Sequence, residues 1–88
     1  MKLKYNFILN TVADKVVAVA VGEDLEKFNG FIKMNDIGAE IFEILKNDVT
    51  EQEIVDIMKA KHPEEPEAEV IDTVGTFVAK LKEAGIAE

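Results

Sequence analysis

No cysteine, serine or arginine occurs among the 88 residues, and histidine occurs once, at His62. Without cysteine there are no disulfides and no thiolate metal sites, and the redox compartment cannot be read. Without serine or cysteine the common acyl-transfer nucleophiles are missing. The longest apolar run, Val16 to Val21, is six residues, far short of the roughly 20 needed to span a bilayer. The N-terminus, Met1-Lys2-Leu3-Lys4, leads into Tyr5-Asn6-Phe7 without the apolar stretch and cleavage site of a signal peptide. A cytoplasmic location is the expectation.

What is present suits one small domain covering 1–88. Apolar residues make up 48% of the chain, enough for a single core. A chain of this size buries only roughly 60–65% of the surface that its unfolded form exposes, so modest stability is expected. The net charge of −8 is unevenly placed. Residues 1–36 carry five lysines and five acids, whereas residues 37–88 carry five lysines and thirteen acids. Nucleic-acid binding needs a basic footprint and anionic membranes attract one, so neither partner is expected. The acidic half serves solubility or selects basic partners.

The first third reads as β. Leu3, Tyr5, Phe7 and Leu9 alternate with more polar neighbours, which predicts a half-buried strand over about 3–12. Ala13-Asp14-Lys15 suits a hairpin turn, and the β-branched run Val16 to Val21 predicts a second, more buried strand over about 16–22. Gly22-Glu23-Asp24 breaks the pattern, and Leu25 to Phe28 suits one helical turn or a loop. Asn29-Gly30 is a turn dipeptide, and a short third strand follows over about 30–34.

The remainder predicts three helices, over about 36–46, 50–61 and 66–84. Asn35 or Asp36 caps the first, and Ile37, Ile41, Ile44 and Leu45 form its apolar stripe. Thr50-Glu51-Gln52-Glu53 opens the second as a capping box, with Val49 placed to staple on Ile54. Ile54, Ile57 and Met58 form its stripe, and His62-Pro63 ends it. Pro66 suits the first turn of the third helix. Its stripe runs Val70, Ile71, Val74, Phe77, Val78, Leu81, with Gly85 as the C-terminal cap. The expected class is α+β and winged-helix-like: a three-stranded antiparallel sheet followed by a three-helix bundle, β-β-β-α-α-α.

Catalytic and metal-binding candidates are few. His62 stands at a helix end among acids and reads as an exposed residue without the orienting partner a general base needs. Thr50 is explained by its capping box. Glu64, Glu65, Glu67 and Glu69 lack the alternating ligands and turn glycine of a calcium loop and favour the following helix N-terminus instead. Glu40 and Glu43 have no Glu-x-x-His partner, and Gly22, Gly30 and Gly38 make no phosphate-binding pattern. No catalytic residue, metal ligand or cofactor is expected. Two features suit binding. The short strand Gly30 to Met34 offers a free edge for an extended peptide, or is an edge shielded by Lys33. Gly75, four residues from Ala79, marks a close approach to the last helix by a core element or a ligand.

The stretch Ile32-Lys33-Met34-Asn35-Asp36-Ile37-Gly38-Ala39-Glu40-Ile41-Phe42-Glu43-Ile44-Leu45 resembles the strand-to-helix segment of the coenzyme PQQ synthesis protein D (PqqD-like) domains. These are also called precursor-peptide recognition elements. Val49-Thr50-Glu51-Gln52-Glu53-Ile54 is similar to the family's next helix start, and Val74 to Ile86 to its closing helix. Phe42 stands where many members carry tryptophan. The resemblance covers roughly Phe7 to Ile86.

That resemblance implies a non-catalytic, chaperone-like domain that binds the leader of a ribosomally made precursor peptide. The leader would add as a strand to the third strand, against the third helix. The domain would present it to a modifying enzyme, a radical S-adenosylmethionine (radical SAM) maturase or another. Carried over to this sequence, the strand contacts would be Phe31, Ile32, Lys33 and Met34. The helix contacts would be the exposed sides of Val74, Gly75, Val78 and Lys82. Two other readings stand beside it. One is a winged-helix DNA-binding regulator, opposed by Glu51, Glu53 and Asp56 on its candidate recognition helix. The other is a structural module that self-associates, as a homodimer, through strand edges.

Overall fold

A computed structural model describes residues 1–28 and 30–88. Three strands, β1 (Phe7–Val12), β2 (Lys15–Ala20) and β3 (Phe31–Met34), form one antiparallel sheet in the order β1-β2-β3. A single helical turn, α1 (Asp24–Lys27), stands between β2 and β3. The helices α2 (Asp36–Ile44), α3 (Glu51–Lys61) and α4 (Glu67–Glu83) follow. The expected α+β order is therefore the observed one.

Local chemistry explains most boundaries. The β1-β2 hairpin turns on Ala13 and Asp14, with Val12 opposite Lys15 and Ala13 at φ 58°. Asn29 lies outside the described residues, so its half of the expected Asn29-Gly30 turn does too. Gly30 has φ 136°, which favours glycine. Asn35 caps α2, its Oδ1 accepting from the Gly38 amide at 2.8 Å. The Thr50 capping box is complete: Thr50 Oγ1 accepts from the Glu53 amide, and Glu53 Oε1 from the Thr50 amide. Pro66 is the N-cap of α4, one position before the first helical turn in which it was expected.

Leu3 is not part of β1. Residues 1–4 instead run beside the C-terminal tail, with Leu3 bridged to Ala87 and the Lys4 amide donating to the Ile86 carbonyl at 2.7 Å. The Leu3 amide donates to the Leu45 carbonyl. The Met1 ammonium reaches Asp48 Oδ1 at 3.0 Å and the Val49 carbonyl at 2.7 Å. The alternation Leu3-Tyr5-Phe7-Leu9 is thus shared between a terminal strap and a true strand, which period alone cannot separate.

The sheet buries one face. Phe7, Val16, Ala18, Ala20 and Met34 are buried against Ile41, Phe42, Leu45, Ile54, Val74, Val78 and Leu81. Phe42 is fully buried and meets Phe7 edge-on, with centroids 5.2 Å apart. Two stripe residues were misplaced. Ile57 is 37% and Ile71 48% exposed, while Val55 is buried. At roughly 100° per residue the buried arc of α3 is centred between Ile54 and Val55, so Ile57 falls outside it. Ile71 lies at the rim of the corresponding arc on α4.

Candidate functional site

β3 is the last strand of the sheet, so its outer backbone edge has no strand partner among the described residues. Its register, Val16 opposite Met34 and Ala18 opposite Ile32, turns Ile32 and Met34 toward the core. Phe31 and Lys33 therefore face outward from the sheet. Phe31 is 60% exposed, and the Lys33 ammonium stands 5.9 Å from its ring centroid. An open edge of this kind can exchange main-chain hydrogen bonds with an extended chain.

The helix that packs on β3 is α2, and α4 comes near the Met34 end through Phe77; the two sides of α4 differ. The ring of Phe77 and the side chain of Met34 crowd Gly38 from two directions. A Cβ built on Gly38 would lie 2.9 Å from Phe77 Cε1 and 3.2 Å from Met34 Cβ. Phe77 therefore marks the side of α4 turned toward β3. At roughly 100° per residue, Glu69, Thr73 and Lys80 share that side. A shallow groove of about 270 Å³ runs there between Asp72, Thr73, Thr76, Phe77 and Lys80. A second cleft, about 280 Å³, continues from Thr73 past Val70 and Glu69 to Asn35, Ile37, Met58, His62 and Glu65.

The helix residues expected from the sequence are distributed differently. Val74 and Val78 are 1% and 2% exposed, so neither has the exposed side that was expected; both are core. Gly75 faces α3, where a Cβ would meet Glu51 Oε2 at 3.7 Å. That is an ordinary contact distance, so α3 does not crowd the backbone there. Lys82 is exposed and, seven residues on, lies on that same side, away from Phe77. Thr73 and Lys80, on the Phe77 side of α4, were not among the expected residues. Their signal was available in the i, i+4, i+7 spacing Thr73-Phe77-Lys80, but Phe77 reads as core until its neighbours are known.

His62 is half-buried rather than exposed. Its Nε2 lies 3.0 Å from both carboxylate oxygens of Glu40, an arrangement in which the ring donates and the carboxylate accepts. The contact ties the end of α3 to α2, and the Lys61 ammonium lies 3.7 Å from Glu40 Oε1. Lys59 pairs with Glu67 across the α3–α4 turn, which raises the lysine above its ordinary value. Among the described residues no three His, Asp or Glu side chains gather to hold a metal ion. Among the described residues no helix is long and apolar enough to cross a membrane.

The fold matches a solved structure described as TbiB1 in complex with the TbiA(beta) leader peptide. The TM-score is 0.74 at 20% identity, covering 100% of this chain and 95% of that chain. No curated protein is similar enough to match. The sequence itself matches the family of coenzyme PQQ synthesis protein D over residues 8–87, nearly the whole sheet and helix bundle. The chain belongs to the coenzyme PQQ synthesis protein D (PqqD) family.

Proposed function

We propose that this domain binds the leader of a ribosomally made precursor peptide and presents it to a modifying enzyme, itself doing no chemistry. The observation that carries the reading is the unpaired edge of β3, whose Met34 end meets Phe77 of α4 around Gly38. Main-chain pairing along Phe31, Ile32, Lys33 and Met34 supplies affinity, and alternate leader side chains meet the groove. On α4 the contacts are Thr73, Phe77 and Lys80, with Val74 and Val78 beneath them as floor. Gly75 and Lys82 are assigned no contact. Family membership supports the reading, as does the leader peptide bound to the structurally similar TbiB1. The partner enzyme is proposed to be a radical SAM maturase or another maturation enzyme.

The winged-helix regulator reading fares worse. The exposed side of α3 carries Glu51, Gln52, Glu53 and Asp56, while Lys59 and Lys61 are both engaged by glutamates. Phosphates would meet repulsion there.

The test is a titration of isotope-labelled domain with the leader peptide encoded nearest its gene, followed by amide NMR. Shifts concentrated at Phe31–Met34 and at Thr73, Phe77 and Lys80 are expected. Shifts confined to Gly75 and Lys82, or none with any neighbouring peptide, would reject this site.

A further inference from the structure

The second cleft has a composition that the strand-edge reading leaves unused. Its walls are Ile37, Met58, Val70 and Val74, and its mouth carries Glu65 and Glu69. Glu40 nearby is already engaged, hydrogen-bonded to the His62 ring and 3.7 Å from the Lys61 ammonium. Glu65 and Glu69 have no lysine within ion-pair distance among the described residues, whereas Glu67 pairs with Lys59. An apolar shaft with two uncompensated carboxylates at its mouth matches one kind of side chain: a long aliphatic stem ending in a cation.

The position of the cleft says which part of a peptide would reach it. Asn35 directly follows β3 and lines the cleft, and Thr73 lines both the cleft and the groove along α4. A chain paired with β3 and continuing past Met34 therefore runs into the cleft. For antiparallel addition this is the segment N-terminal to the paired residues. We infer that the cleft between α2, α3 and α4 is a subsite for a lysine or arginine of the bound peptide, flanking its strand-forming segment. Glu65 and Glu69 set that preference. The inference rests on the peptide-binding reading above and adds a sequence requirement to it.

A displayed library of random peptides, selected on the intact domain, tests it. Wild-type protein is expected to enrich an apolar, extended segment with Lys or Arg at a fixed offset on one side. On Glu65→Gln/Glu69→Gln the apolar segment persists, while enrichment of the cation at that offset falls about five- to tenfold, as expected for two partly solvated ion pairs. A control, Glu83→Gln/Glu88→Gln, removes the same charge near the far end of α4 and leaves the enrichment unchanged. Both glutamates at the cleft are exposed, so circular dichroism of the double variant should match wild type. Enrichment that survives Glu65→Gln/Glu69→Gln, or falls equally in the control, overturns the subsite and leaves peptide binding standing. So does an apolar or aromatic residue selected at that offset. Recovery of no peptide on wild type overturns the peptide-binding reading itself, and the subsite with it.

Discussion

A methyl group at position 38 would lie 2.9 Å from the edge of the Phe77 ring. Phe77 is only half-buried, so the ring can yield outward, into the groove. Gly38→Ala should cost up to about 2 kcal/mol, because Met34 Cβ at 3.2 Å is held in the core and overpacking of about 1–3 kcal/mol is offset only in part by the roughly 1 kcal/mol helix preference for alanine. Leader affinity should fall about tenfold, a change equivalent to about 1.4 kcal/mol. Urea melts and calorimetric titration of the same sample separate the two effects. Asp48 offers a second residue-level test. The Met1 ammonium, bonded to it at 3.0 Å, holds its carboxyl below the ordinary 3.8. A depressed folded value means that the contact stabilises above the ordinary value and is lost as pH falls through the folded one. Asp48→Asn should melt lower than wild type at about pH 7 and together with it at about pH 2. A gap that persists in acid would contradict the assignment.

Among the elements, α3 depends most visibly on local chemistry. Both bonds of the Thr50–Glu53 capping box are made, and Thr50→Ala should cost about 1 kcal/mol in a urea melt without altering the slope. This box was legible in the sequence because four consecutive residues specify it. The helices as a whole were legible for the same reason: caps and stripes are local. The sheet was less so. Leu3 has the alternation of a strand yet pairs with Ala87, and only the closed chain reveals that partner. The free edge of β3 was readable, whereas the burial of Val74 and Val78 on α4 was not. A free edge follows from a short terminal strand, but which side of α4 faces it depends on how the bundle rotates. Gly75 drew attention because mid-helix glycine is costly, yet the nearest atom to an added Cβ, Glu51 Oε2 at 3.7 Å, leaves room for one. β3 carries its own prediction. Outward-facing amides among Phe31 to Met34 should exchange rapidly in the free domain and slow at least tenfold with leader bound. Unchanged exchange in a saturated complex would rule out main-chain pairing there.

Across the whole molecule, charge is segregated. No acidic residue lies in any strand, whereas residues 37–88 hold thirteen acids against five lysines. The helical layer therefore carries the negative charge of the molecule, which favours approach by cationic peptides. Raising salt from about 0.05 to about 0.5 M should slow association of a lysine-bearing leader several-fold while changing its dissociation little. Stopped-flow fluorescence with a labelled leader reads both rates. The central claim, that a peptide joins the sheet at β3, is tested most directly by nuclear Overhauser contacts in the labelled complex. Inter-chain contacts between leader backbone protons and those of Phe31 to Met34, in a regular alternating pattern, are the predicted result. Leader contacts that fall instead on β1, or only on side chains of α4 with no backbone pairing, would contradict it.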